Sequence, residues 1–125
     1  MQRSLIDEPL FDQVQIALLR DALGQEDLRA MLSEFSSAAA QAFHKIGTAV
    51  ASNDLEEVRR LAHAFKGVAS SFGAARLAAI GREFELEATS IASMMQRMPA
   101  LTDVIDETLA ALPDVERAAS AGAKA

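Results

Sequence analysis

The residue of this sequence best suited to chemistry is a histidine on the polar side of a predicted helix. Residues 54 to 72 have helical spacing, in which successive side chains are about 100° apart. Their apolar members form one stripe that must face the core: Leu55, Val58, Leu61, Ala62, Phe65, Val68, Ala69 and Phe72. His63 lies on much the opposite side of the helix. Its imidazole can act as a nucleophile near neutral pH without first losing a proton to a partner.

Four more residues share this solvent-facing stripe with the histidine: Arg59, Lys66, Gly67 and Ser70. Lys66 lies one turn after His63, where an ammonium group can offset negative charge at the imidazole. Gly67 should cost the helix about 1 kcal/mol relative to alanine. A glycine tolerated at such a position favours close approach by the backbone of a partner. The stripe therefore predicts a docking and transfer site.

The segment from Ala62 to Leu77 closely resembles the motif of histidine-containing phosphotransfer (Hpt) domains. That motif has a histidine, a lysine and a glycine three and four residues on, small residues, a glycine turn and a leucine. Here these positions are occupied by His63, Lys66, Gly67, Ala69 with Ser70, Gly73 and Leu77. Outside the motif, the resemblance extends to Phe35, Asn53, Asp54, Gly81, Phe84 and Glu85. It covers roughly residues 10 to 112.

The resemblance implies that His63 accepts a phosphoryl group from a receiver-domain aspartyl phosphate and passes it to another receiver aspartate. Lys66 would stabilise the phosphoryl charge. Gly67, Ser70 and Arg59 would contact the partner, and Gly73 would form the turn after the histidine helix. The implied partners are response-regulator receiver domains and a hybrid sensor histidine kinase. We expect a monomeric phosphoryl carrier without autokinase activity, metal or cofactor, and magnesium on the partner receiver domain.

Composition agrees with a small helical protein. The 125 residues suffice for one core, half of them are hydrophobic, and there is no Trp or Tyr. The absence of cysteine suits a reducing compartment. A net charge of −6 and a pI near 4.8 argue against nucleic acid and anionic membranes as partners. Because the sequence also shows neither a signal peptide nor a membrane-spanning run, we expect a cytoplasmic protein.

Helical spacing and turn residues predict an all-α fold, an antiparallel up-down-up-down four-helix bundle with a short extra N-terminal helix. The opening helix should pack through Leu10, Val14, Ala17 and Leu18 and end at Gly24. Four longer helices should follow, over about residues 25–52, 54–73, 74–97 and 99–113. Asp54 should cap the histidine helix, Pro99 should begin the last helix, and Pro113 should kink or end it. Residues 1–9 then form a flexible leader, 10–117 the domain and 118–125 a frayed tail.

Other functions remain open at this stage. The chain could be a non-catalytic four-helix adaptor that binds receiver domains or kinases without transfer. An enzyme or metal-binding bundle lacks the paired Glu-x-x-His motifs that such sites use. A histidine-kinase dimerisation domain usually has an acidic residue after its histidine, where this chain has Ala64. His44 has no motif around it, and the acidic residues Glu83, Glu85 and Glu87 are interpreted as a charged surface.

Overall fold

The computed structural model describes residues 9–87 and 89–123, and all regular structure within these ranges is helical. The elements are α1 (Gln13–Leu23), α2 (Gln25–Ala51), α3 (Leu55–Ser71), α4 (Ala75–Arg82), a π-helical segment (Glu83–Glu87) and α5 (Ile91–Ala123). The predicted all-α class is therefore confirmed. Most of the expected leader, residues 1–8, lies outside the described residues, as do residues 124–125 of the expected tail.

The turns before the histidine helix follow from local side-chain chemistry. Gly24 has a φ of +88°, which favours glycine, and its N–H donates to the carbonyl of Arg20 at 2.8 Å to end α1. Asn53 has a φ of +61° between α2 and α3, a conformation that asparagine tolerates better than most residues. The Asp54 carboxylate then accepts a hydrogen bond from the N–H of Glu57 at 3.1 Å. The predicted N-cap of α3 is thus present.

The main core forms where α3 packs against α2 and α4, and α2 also packs against α5. Its largest fully buried side chains include Phe35 of α2, Phe65 of α3 and Phe84 of the π-helical segment. The Phe35 ring also lies 5.0 Å from that of Phe72 and 6.3 Å from that of Phe11, centre to centre. These ring contacts join α2 to the end of α3 and to the residues that precede α1.

The predicted continuous helix over residues 74–97 is wrong. The regular α-helix ends at Arg82, a π-helical segment follows, and α5 begins only at Ile91. Ser90 starts α5 by accepting a hydrogen bond from the N–H of Ser93 on its hydroxyl, at 3.1 Å. After the interruption, Met94 is buried whereas its neighbour Met95 is 60% exposed.

Pro99 does not begin the last helix and Pro113 does not end it, because α5 runs through both prolines. Proline has no N–H, so the carbonyl four residues before it loses its helical hydrogen bond. Both prolines are exposed, and on the solvent side of a helix water can hydrate that carbonyl. The inward-facing residues repeat every seven positions through both proline sites: Met94, Leu101, Thr108 and Val115 in one series, and Met98, Ile105, Leu112 and Ala119 in the other. This repeat keeps one face on the core.

Two further expectations about packing are corrected. Helical structure extends past residue 118, since α5 continues to Ala123 and Ala119 is buried. On α1, the predicted inward residues Val14 and Leu18 are 70% and 63% exposed, while Ile16 is buried. Phe11, just before the helix, is also buried, and Leu10, another of the expected residues, packs against the core. Within the part of the chain that the structure describes, no helix is long and apolar enough to cross a membrane.

Candidate functional site

His63 lies in the middle of α3 with its side chain 67% exposed. Gly67 and Ser70, on the same face, are also exposed. A Cβ added at Gly67 would meet no atom within 4 Å, so the glycine is not required by packing inside the chain. The backbone beside His63 is therefore open to an approaching molecule, as the sequence predicted.

A single carboxylate joins the histidine and the lysine of this surface. One oxygen of Glu85, Oε2, contacts Nδ1 of His63, and the other, Oε1, accepts a hydrogen bond from Nζ of Lys66 at 2.7 Å. Glu85 belongs to the π-helical segment after α4, and its side chain is only 17% exposed. The carboxylate is thus held between α3 and the neighbouring segment, on the flank of the exposed imidazole.

Electrostatics keep this carboxylate ionised. The hydrogen bond from Lys66 lowers the pKa of Glu85 below its usual value of 4.5, the contact with His63 lowers that pKa further, and partial burial opposes both effects. An ionised carboxylate can only accept hydrogen bonds, so the Nδ1 that contacts it must carry the proton. In the neutral imidazole, Nε2 is then the nitrogen with a free lone pair.

The cationic residues of the predicted stripe differ in their surroundings. Lys66 is 30% exposed, and its ammonium group has three donors, of which Glu85 uses one. Arg59 is half-buried rather than fully exposed. Its neighbour Arg60 is exposed and pairs with Glu57, with Nε and Oε1 2.6 Å apart. His63 and Lys66 therefore form the centre of this surface, and Arg59 lies at its edge.

Helix α1 closes the end of the histidine helix. The side-chain amide of Gln15 donates to the carbonyl oxygens of Ser70, at 2.7 Å, and Ser71, at 3.3 Å. The carbonyl of Gly73 accepts from the N–H of Asp12 at 2.7 Å, and Gly73 has a φ of +72°. The last carbonyls of a helix lack partners within the helix, and α1 supplies them here. Gly73 forms the turn that the sequence predicted.

Glu85 is the site residue whose role the sequence alone does not reveal. It matches an acidic position of the Hpt pattern, but its acidic neighbours indicate only a charged surface. The available signal was its position after the turn at Gly73: His63 lies ten residues before that glycine and Glu85 twelve after it. Two helices joined by a tight turn pack side by side, so residues at similar distances from the turn lie close together.

The second histidine lies away from this centre. His44 is exposed on α2 and lines an open groove of about 750 Å³ between α2 and α3. Arg60, Leu61 and Ala64 line the same groove from α3, whereas His63 does not. In residues 9–87 and 89–123 there is no group of three or more His, Cys, Asp or Glu side chains that could hold a metal ion.

Comparisons with known proteins point to one family. The family model described as the Hpt domain matches residues 30–115. Among solved structures, the chain is similar to histidine-containing phosphotransfer protein B from Pseudomonas aeruginosa PAO1, with 27% sequence identity and a TM-score of 0.70. That match covers 87% of this chain and 92% of the other. Comparison with curated proteins gave no match.

Proposed function

The chain belongs to the Hpt domain family, and from this premise we propose that it carries phosphoryl groups on His63 in a multistep two-component phosphorelay. The observation that carries the proposal is the exposed imidazole whose Nδ1 is engaged by Glu85, which leaves Nε2 as the nucleophile. The partners would be response-regulator receiver domains and a hybrid sensor histidine kinase. His63 would accept from one receiver aspartate and donate to another.

The transfer step is a reversible displacement at phosphorus. The lone pair of Nε2 on His63 forms the N–P bond while the P–O bond to the partner's aspartate breaks, and that electron pair stays on the aspartate carboxylate. The ring gains positive charge because its Nδ1 keeps its proton. The Glu85 carboxylate, already at Nδ1, would stabilise this charge as well as fix the tautomer. The reverse step returns the phosphoryl group to an aspartate.

The other site residues would act on charge and approach. Lys66 has donors left beyond the one it gives to Glu85, so its ammonium group could also bind a phosphoryl oxygen. Gly67 would admit the partner's backbone, and Ser70 would hydrogen-bond the partner on the same exposed face. Arg59 would contribute positive charge at the edge of a surface that meets an acidic receiver pocket.

We also propose that α2, α3, α4 with the π-helical segment, and α5 run alternately up and down as a four-helix bundle. Support comes from the short connections on either side of α3 and from the packing of α2 against α3 and α5. The domain would span residues 10–117 at least, which includes the matched range 30–115. In this proposal the protein is monomeric and cytoplasmic, and it needs no cofactor of its own because the receiver domain supplies magnesium.

The test is incubation with a receiver domain that has been phosphorylated with acetyl phosphate. We expect the chain to acquire acid-labile, base-stable phosphate, and His63→Gln to abolish it without loss of helicity. His44→Gln is the matched control, because His44 is the other of the two histidines and is also exposed. Receiver binding without any label would favour the non-catalytic adaptor. Label that persists in His63→Gln would contradict the assignment of the acceptor.

Autokinase activity is tested separately. We expect the purified chain, mixed with ATP and magnesium alone, to remain unlabelled, since its sequence contains no glycine-rich phosphate-binding loop. Label on His63 under these conditions would contradict the role of a carrier and would indicate that the chain binds nucleotide itself.

A further inference from the structure

Gly81 brings α4 against the backbone of the histidine helix. It is buried in α4, and a Cβ at this position would lie 3.4 Å from the N, Cα and Cβ atoms of Lys66. That distance is the limit of ordinary van der Waals contact, and two of the three atoms belong to the backbone. A larger side chain at Gly81 would therefore have to push α4 away from α3.

Glu85 follows Gly81 by four residues, which is about one helical turn. Its carboxylate is the group that reaches both Nδ1 of His63 and Nζ of Lys66. A glutamate side chain has a short, fixed reach, and the two contacts lie on either side of its carboxylate. The separation of the two helices at Gly81 thus decides whether both contacts can form at once.

The π-helical segment changes which of its residues lie opposite those of α3. Lys66 lies seven residues before the turn at Gly73 and Gly81 lies eight after it, whereas His63 lies ten before and Glu85 twelve after. From the first of these pairs to the second, the chain advances three residues on α3 but four on the opposite segment. The additional residue lies where Glu83–Glu87 is π-helical. A π turn accommodates an extra residue in this way and is frequent at functional sites.

We propose that Gly81 is a positioning residue for the phosphoryl-transfer site, acting with the π-helical segment to hold Glu85 on His63 and Lys66. The inference rests on the proposed function for its role in transfer. The close contact sets the helix separation, and the π turn sets which side chain of the following segment reaches the imidazole. Gly81 itself touches no reacting atom.

The test compares Gly81→Val with Gly81→Ala and Glu85→Gln by ¹⁵N NMR of the imidazole in mildly alkaline buffer. In the wild type we expect the tautomer protonated at Nδ1. Glu85→Gln and Gly81→Val should both shift the spectrum toward a mixture of tautomers, whereas Gly81→Ala, whose Cβ only reaches ordinary contact with Lys66, should stay close to the wild type. Gly47→Val is the matched control, because a Cβ at this other helical glycine would be 3.8 Å from the flexible end of Met98.

Transfer rates give a second reading. Gly81→Val should slow phosphoryl acceptance, and adding it to Glu85→Gln should cause little further loss, because both changes remove the same contact. A folded Gly81→Val protein with the wild-type spectrum and rate would overturn the proposal. If the valine variant fails to fold, Gly81→Ser takes its place because its Oγ extends beyond the Cβ, and an unchanged spectrum in that folded variant would overturn the proposal. The spectrum requires no phosphoryl donor, so failure of the wild type to accept phosphate would contradict the proposed function alone.

Discussion

At the scale of single residues, the site depends on one carboxylate that serves two partners. Glu85 holds the proton of His63 on Nδ1 and also binds the ammonium group of Lys66. Under the proposed function, the exposed surface therefore presents an acceptor nitrogen and a cation, both held from the inner side by this carboxylate. Only the outer side of the imidazole, next to Gly67, is open to a partner.

Substitutions at Gly67 should affect the stability of the chain and the approach of a partner differently. Gly67→Ala should raise the free energy of unfolding by about 1 kcal/mol through helix propensity, because the new Cβ meets no atom within 4 Å. Gly67→Gln should also remain stable, yet greatly slow transfer, because it places a long side chain beside His63. Thermal denaturation and the rate of receiver-dependent labelling measure the two effects. A variant that unfolds but transfers normally in its folded fraction would show that this glycine is a packing residue.

Lys66→Ala tests charge without added bulk. The substitution removes the ammonium group that binds Glu85 and that we assign to the phosphoryl oxygens. We expect a moderate, several-fold slowing of transfer, smaller than in Gly67→Gln, and a shorter lifetime of the phosphohistidine. Both are measured by following labelled chain over time after the receiver is removed. Wild-type lifetime in this variant would exclude Lys66 from stabilising the adduct.

Glu83 lies two residues before Glu85, and its pKa is shifted in the opposite direction. Burial raises the pKa of Glu83, nearby Glu87 raises it further, and Arg97 opposes both effects. Because the folded-state pKa is raised, the charged form is unfavourable, and stability falls as pH rises through that pKa. Glu83→Gln should therefore raise the Tm at pH 7, and the gain should disappear below about pH 4, where the native carboxyl is neutral too. A lower Tm at pH 7 would contradict this.

At the scale of elements, α1 acts as the cap of the histidine helix. Gln15→Ala removes two hydrogen bonds from the amide to the carbonyls of Ser70 and Ser71. We expect a loss of about 1 kcal/mol of stability, or roughly 3 to 6 °C in Tm for a chain of this size. Gln13→Ala, an exposed glutamine of the same helix, is the control and should change the Tm little. Equal effects of the two substitutions would argue against the cap.

The sequence predicted the elements whose boundaries are marked by local chemistry. Asp54, Gly24 and Gly73 act through their own side chain or backbone conformation, and each was placed correctly. The sequence does not reveal the break before α5, because Ser90 is a weaker helix-start signal than Pro99. Both prolines face solvent, and a spacing of seven from Met94 to Ala119 was the pattern that indicated one long helix.

Only the residues of the candidate site that lie on one helix could be predicted from the sequence. His63, Lys66 and Gly67 lie within five positions on one helix, so their shared face follows from helical geometry alone. Glu85 comes from another segment, and its contact depends on the helix separation at Gly81 and on the register of a π turn. Spacing from the turn at Gly73 indicates that Glu85 lies near His63, but local propensity sets neither the helix separation nor the register, so the contact itself could not be inferred.

At the scale of the whole molecule, α5 defines how far the folded unit extends. Ala119 is buried at 5% exposure, and its carbonyl accepts from Nη1 of Arg20 at 3.3 Å, whereas Ala118 is exposed. Ala119→Asp should therefore lower stability by about 2 kcal/mol or more, because it buries a charge. Ala118→Asp is the control and should have little effect. Equal tolerance of the two substitutions, measured by denaturant unfolding, would show that the folded unit ends before residue 118.

The open surface around His63 also has a kinetic consequence. One imidazole on the exposed face of one helix can meet a single phosphorus atom at a time, so a donor and an acceptor cannot occupy it together. Under the proposed function, relay through this chain follows a ping-pong scheme, in which the first partner must leave before the second arrives. An excess of unphosphorylated receiver then competes with the phosphorylated donor and slows the overall flux, even though that receiver is the destination of the phosphoryl group.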